Sequence, residues 1–327
     1  MLVEEFLEPK IHVVSGKGGV GKTTVSAALA LVAARHGRRV CIAEVDRKGT
    51  LPKLFGASDL SYEPHELSPD VWALNILPED ALAEYLRVQY HMRRLSWAFT
   101  STHFVDYITT AAPGLKDILV LGKIWYLEQG RDSPDFDTIV VDAPAAGHMV
   151  TFLSAPIGLS DALRVGPLRR QADWLVEMLR DQTRTRVHLV TLAEEMPVTE
   201  TLETAEALRS RLQISQGALF ANAIYSELFS PDEEAAFARM DEQGSFAPLI
   251  EAGREVGLSL DGQDLESLTG YARFLEARRE IQDNYLKTLR KKPGEAVLEL
   301  PFLFSAGLAL PDIETLADVI EEQVAKS

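Results

Sequence analysis

The sequence predicts an α/β fold, a doubly wound and mostly parallel sheet with an inserted helical subdomain, and three observations lead there. An apolar run, Ile11-His12-Val13-Val14, feeds a glycine-rich stretch that an alanine-rich segment, 25–35, leaves with helical character. Further strand-like runs follow at 39–45, 136–141, 186–191 and 217–221, separated by segments of helical spacing. Strands alternating with helices of about ten to fifteen residues make parallel βαβ units. The third observation is composition: 46% of the 327 residues are hydrophobic, ample for a buried core in one large or two modest domains. We read a single domain, 1–327.

The element that organises the chain is Ser15-Gly16-Lys17-Gly18-Gly19-Val20-Gly21-Lys22-Thr23-Thr24. From Gly16 it fits the phosphate-loop pattern G-x-x-x-x-G-K-[ST], with a strand entering and a helix leaving, which predicts a P-loop NTPase. Gly16, Gly18, Gly19 and Gly21 let backbone N–H groups, with those of Val20 and Thr24, turn inward around phosphate oxygens. The helix adds the positive end of its dipole. Lys22 is expected to reach the β- and γ-phosphates, and the Thr23 hydroxyl to sit on Mg²⁺.

Lys17 lies inside the loop, where an ordinary phosphate loop tolerates almost any residue. Here the sequence resembles the deviant phosphate-loop ATPases with the signature K-G-G-V-G-K-T, a class that includes septum-site, plasmid-partition, arsenite-pump and tail-anchored-protein targeting ATPases. The resemblance implies that Lys17 crosses a dimer interface to the partner's ATP. A solvated lysine is the plainer reading.

Charge and targeting narrow the field. Lys+Arg 33 against Asp+Glu 49 gives a net charge of −16, which disfavours binding to nucleic acid. The acidic start, 1–9, is unlike a signal peptide, and the longest apolar stretch, 27–34, is far short of a membrane span. A cytoplasmic protein is expected. The single cysteine, Cys41, rules out an intramolecular disulfide and a cysteine-built zinc site within one chain; in a strand-like run it reads as a small buried hydrophobe.

In chain order, strand 11–15, loop and helix 22–36 lead through His36-Gly37 to strand 39–45. That strand runs into Asp46-Arg47-Lys48-Gly49-Thr50, where a carboxylate beside the phosphate loop is placed to position water. Asp46 corresponds by position to the aspartate opening the first switch of the arsenite-pump and targeting ATPases, although their D-P-A-H-S is replaced here; a turn or capping aspartate is the simpler role. Strand 136–141 delivers Asp142 to the Mg²⁺ region. Asp142-Ala143-Pro144-Ala145-Ala146-Gly147-His148 resembles the family's second switch, which implies that Asp142 holds Mg²⁺ through a water and that the Gly147 amide approaches the γ-phosphate. His148 reads as a switch-relay or structural residue.

Helices are expected at about 149–155, 167–181 and 198–212, with strands at 186–191 and 217–221. Glu194-Glu195-Met196-Pro197-Val198-Thr199-Glu200-Thr201 resembles the family's E-E-x-x-x-x-E-T. The last of these strands ends at Asn222, which the resemblance assigns to the adenine ring and simple turn chemistry would also explain. The strand 296–300 precedes Pro301, where the family closes over the base. The terminal helix, 311–324, is acidic, unlike a basic membrane-targeting helix.

Two stretches, about 78–130 and 231–292, exceed any plain crossover and predict a helical subdomain of two packed halves. Family resemblance implies a client groove there, whereas apolar stripes at helical spacing more simply make core or dimer packing. The function expected is therefore that of a Mg-ATP-dependent ATPase of the arsenite-pump and targeting type, a dimeric switch coupled to an unknown client or partner. Lys17, Lys22 and Asp46 would serve the reaction. The missing C-x-x-C argues against a zinc-clamped dimer, and one cysteine cannot supply the thiolates arsenite needs. Alternatives are an ATP-binding regulatory subunit of a heterodimer with weak hydrolysis, and a partition-type positioning protein.

Overall fold

The structure is a computed structural model describing residues 2–45, 49–90, 114–131, 134–227, 229–243, 245–291 and 296–326. Its strands are β1 (Ile11–Gly16), β2 (Val40–Glu44), β3 (His65–Ser68), β4 (Val71–Asn75), β5 (Thr138–Ala145), β6 (Thr185–Leu192), β7 (Gln216–Ile224) and β8 (Val297–Pro301). They form one eight-stranded sheet in the order β3-β4-β2-β5-β1-β6-β7-β8. Every neighbouring pair is parallel except β3 with β4. The chain thus goes from β1, the strand that carries the loop, to β2 and the outer pair β3 and β4, returns with β5 between β2 and β1, and then continues through β6, β7 and β8 on the other side.

The described helices, in chain order, are α1 (Val3–Leu7), α2 (Lys22–Arg35), α3 (Leu51–Leu54), α4 (Pro78–Tyr90), α5 (Leu115–Glu128) and α6 (Ala146–Ala162). There follow α7 (Pro167–Arg180), α8 (Glu195–Ala207), α9 (Pro231–Gln243), α10 (Ala247–Glu255), α11 (Gly262–Arg290) and α12 (Leu310–Lys326). Strand residues alternate between the two faces. Val14, Ile42 and Val140 face a cluster with α2 and α12, including Leu29, Ile313 and Leu316. Ile11, Val13, Cys41, Ile139 and Val141 face the other, with Ile124, Phe152, Leu175 and Leu179 from α5, α6 and α7.

Helix α2 is buried all round from Lys22 to Ala33. Its small alanines let the sheet and α12 close on opposite sides, the arrangement expected of a helix without a polar face. At its far end Arg35 meets Asp318 of α12 at 2.7 Å. Cys41 is fully buried, as its strand context suggests.

Several boundaries differ from the sequence reading, each for a local reason. Strand β5 runs four residues past 141, so that Asp142 lies within it, because pairing with β1 continues to Gly16 opposite Ala145. Helix α6 begins at Ala146 and runs through Pro156; burial of Pro156 with Phe152 and Leu153 outweighs the backbone bond that a proline removes. Strand β3 was not anticipated, since His-Glu-Leu-Ser has no apolar alternation and is held by its partner β4 alone. Helix α8 ends at Ala207 and a π-helical turn, Leu208–Leu212, finishes the segment predicted as one helix.

The 231–292 stretch divides into three helices, the last starting from an Asp261 cap whose side chain accepts from the N–H groups of Gln263 and Asp264. Helix α11 packs on α8 and β7 through Leu286 and Leu289, which join Val198 and Leu219 in a third cluster. Helices α4 and α5 belong to the cluster with β2 and β5 instead. Residues 91–113, within the predicted 78–130 insertion, lie outside the described residues. Leu268, Tyr271 and Ile281 of α11, in the same helix as the buried Leu275 and Leu289, are about half exposed, so the helix is not packed on every apolar position.

At the β8 edge the Gln323 carboxamide of α12 bonds the backbone of Glu299 twice. Its Oε1 accepts from the Glu299 N–H at 2.9 Å and its Nε2 donates to the Glu299 carbonyl at 2.6 Å. Among the described residues no helix is long and apolar enough to cross a membrane.

Candidate functional site

The site begins where β1 meets its neighbours. Gly16 stands in register with Val190 of β6 and Ala145 of β5. A Cβ at Gly16 would lie 2.0 Å from the Val190 carbonyl oxygen, so only glycine lets the strand leave at this closeness. Gly19 and Gly21 then adopt φ of 85° and 92°, the left-handed region. Gly18 and Gly19 are exposed, whereas Val20 beside them is buried and anchors the loop in the α2 cluster.

Lys22 and Thr23 open α2 and are both buried. The Lys22 Nζ donates to the Lys17 carbonyl at 3.0 Å, bending the ammonium back over its own loop. The Thr23 hydroxyl donates to Asp142 Oδ2 at 2.7 Å. The phosphate loop and the end of β5 are thereby joined at one point. Ser15 adds a second tie: its hydroxyl donates to the Pro144 carbonyl at 2.7 Å.

A carboxylate and a hydroxyl side by side are hard oxygen donors, which suits Mg²⁺. Asp142 is fully buried, so its charge calls for nearby positive charge. Glu44, also buried, ends β2 in register with Asp142 and accepts from Asn75 Nδ2 at 2.8 Å. Sequence reasoning passed over both Glu44 and Asn75. The signal available was an acid closing the apolar strand Val-Cys-Ile-Ala-Glu, a position where a solvated charge would be out of place. Asp46 lies outside the described residues, two positions beyond the end of β2.

Lys17 bonds within its own chain: its Nζ meets Glu200 Oε1 of α8 at 2.7 Å, both side chains about one-third exposed. The glutamate of the E-E-x-x-x-x-E-T stretch is thus the loop lysine's partner. Glu194 of the same stretch pairs with Arg278 of α11 at 2.8 Å.

Asn222 lies inside β7, which continues to Ile224 through a register shift against β8, with Ala223 at φ 56°. Its Nδ2 donates to the Val20 carbonyl of the loop at 2.8 Å. Pro301 ends β8 opposite Ile224. Tyr225, Phe302 and Phe304 cluster just beyond, with Tyr225 and Phe302 stacked at 4.9 Å. Gly147 and His148 stand exposed in the first turn of α6. Burial pushes the Asp117 carboxyl of α5 up, and the charge of His148 acts in the opposite sense, so α5 lies within electrostatic reach of the first turn of α6.

The fold therefore gathers Gly16, Lys17, Lys22, Thr23, Asp142 and Asn222 around one loop, with Gly147 in the first turn of α6 and Pro301 at the end of β8. Comparison with known proteins points the same way. The family model described as anion-transporting ATPase matches residues 9–178. ATPase BagA of Mycobacterium tuberculosis is 33% identical over 326 residues, covering 96% of this chain and 93% of that protein. ATPase ARSA1 of Chlamydomonas reinhardtii is 24% identical over 307 residues, 76% of this chain and 39% of its own. ATPase GET3C of Arabidopsis thaliana is 26% identical over 162 residues, 45% of this chain and 41% of its own.

Proposed function

The chain belongs to the anion-transporting ATPase family and is an ATPase, and from that premise we propose that it works as a nucleotide-driven dimeric switch, coupling Mg-ATP hydrolysis to a client or partner. The observation that carries the reading is the buried Thr23–Asp142 hydrogen bond, which ties the phosphate loop to the strand leading into α6. A change at the γ-phosphate would act on both sides of that bond at once.

The roles follow from charge. Hydrolysis spreads negative charge over phosphate oxygens, and catalysis consists largely of positioning and neutralisation. The inward N–H groups of residues 16–24 would hold the phosphates. Lys22 would exchange the Lys17 carbonyl for a phosphate oxygen, an ion–ion contact replacing an ion–dipole one. Mg²⁺, when bound, supplies further neutralisation, with the Thr23 hydroxyl and the Asp142 carboxylate, directly or through water, as its oxygens. Asp46 would orient the attacking water, the Gly147 N–H would sense the γ-phosphate, and Asn222 and Pro301 would flank the base. The helices of 78–130 and 231–292 would read the switches. The work is done in the cytoplasm, without zinc or nucleic acid.

For Lys17 to serve a partner's nucleotide it must leave Glu200. Light-scattering mass with and without Mg-ATP, for the wild type and Lys17→Ala, measured alongside phosphate release, tests this. A homodimer that forms with ATP, is lost in Lys17→Ala, and releases phosphate upholds the dimeric switch. A chain that binds ATP but remains monomeric and inert overturns it. That result would favour the second reading, a regulatory half of a heterodimer, which the Lys17–Glu200 pair and the altered D-R-K-G-T segment support.

A further inference from the structure

We infer that Asn222 is a positioning residue of the phosphate loop, whatever it contributes to the base. The inference rests on the nucleotide-site reading above. A loop that turns its N–H groups toward phosphate turns carbonyls outward, and each outward carbonyl needs a partner. Two of them are met by side chains. The Lys17 carbonyl takes the Lys22 ammonium, a group the phosphates would claim. The Val20 carbonyl takes Asn222 Nδ2 at 2.8 Å, from a strand outside the loop.

Val20 lies between Gly19 and Gly21, the two loop residues with φ near +90°, so its peptide groups are the ones most free to turn. Fixing the Val20 carbonyl fixes the plane of the Val20–Gly21 peptide, and with it the direction of the Gly21 N–H. Asn222 is itself well held, since the backbone around it is gripped by Gln282 of α11, whose Nε2 donates to the Ala223 carbonyl and whose Oε1 accepts from the Tyr225 N–H. The fit is close: a Cβ on Gly21 would lie 2.2 Å from Asn222 Nδ2. Glycine is needed at 21 for its backbone angle and for the carboxamide above it.

The bond uses one of the two Nδ2 hydrogens, leaving the other and Oδ1 for a ligand. A residue that acts through the loop affects every phosphate chain alike, whereas a base reader affects only ligands with the right base. The test compares affinities for Mg-ATP, Mg-GTP and Mg-tripolyphosphate, which carries no base, in the wild type, Asn222→Ala and Asn222→Asp. Expected is a loss of about five- to tenfold for all three ligands in both variants, the size of one hydrogen bond, because the aspartate carboxylate cannot donate to Val20. Ligand-free melting temperatures should stay close to that of the wild type.

Unchanged tripolyphosphate affinity, with a loss confined to ATP relative to GTP, would overturn the inference and leave Asn222 a base reader only. Wild-type chain that binds none of the three would instead overturn the nucleotide site itself. A double-mutant cycle adds an independent check. Gly21→Ala should cost less affinity in the Asn222→Ala background than in the wild type, and equal costs would refute the contact.

Discussion

His12 of β1 and His188 of β6 share a hydrogen bond in the middle of the sheet, and their protonation follows from their neighbours. The Ala218 N–H donates to His188 Nδ1 at 3.0 Å, so His188 carries its proton on Nε2 and gives it to His12 Nδ1, 3.0 Å away. Burial lowers the His12 pKa from 6.5 to about 4, with the charges of Arg38 and Arg186 adding to it against the raising effect of the Leu7 and Pro9 carbonyls. Burial, then His12 and Arg186, likewise hold His188 well below its ordinary value. Depressed folded values mean that the unfolded chain binds more protons in this range. Stability from the pair is therefore complete above about pH 6.5 and drains away as pH falls toward 4, by roughly 3 kcal/mol for His12. Urea unfolding from pH 7.5 to 4.5 should show that decline, and His12→Leu should flatten it. The pair was not legible in advance: two histidines in apolar strands give no sign of each other until β1 and β6 are neighbours. The phosphate loop was legible because one contiguous stretch does its work, while the Lys17–Glu200 and Val20–Asn222 contacts depend on strand order and register.

Helix α5 meets α4 through a buried cation. The Lys123 side chain is 2% exposed, lies 3.1 Å from Glu84 Oε1, and sits over the Tyr62 and Tyr126 rings at 4.6 and 5.5 Å. The Tyr62 hydroxyl donates to the other Glu84 oxygen at 2.7 Å. Removing one charge of such a set strands the other, at a cost of about 3–5 kcal/mol. Lys123→Ala should lose about that much in chemical denaturation, and Lys123→Met combined with Glu84→Gln should recover most of it, since Gln can still accept from Tyr62. The sequence holds the signals for α5, a glycine, Gly114, free to take φ 85° before Leu115 and the apolar spacing that follows. It did not reveal that a lysine in the middle of that helix points inward. Elements with strong apolar period were legible to within a few residues. Those held by tertiary pairing, such as β3 and the π-helical turn after α8, were not.

The whole chain carries −16, so two copies repel as they approach. Screening shortens that repulsion from about 30 Å at 0.01 M salt to about 8 Å at 0.15 M. The homodimer proposed above should tighten over this range before higher salt weakens the contacts proposed for Lys17; sedimentation at three salt concentrations would reveal a dimer that only weakens, against the expectation. The doubly wound order places β1 near the centre and the described residues of the candidate site at one end of the strands, a placement the βαβ alternation already implied. The sheet's outer strands add a further consequence. On one side β3 is four residues long, antiparallel and polar; on the other the Gln323 carboxamide imitates a neighbouring strand at Glu299, and Pro301 has no N–H to offer. Both margins are thus poor templates for strand addition, which guards the chain against runaway edge-to-edge stacking and leaves side-chain surfaces as the ground on which another copy can be met.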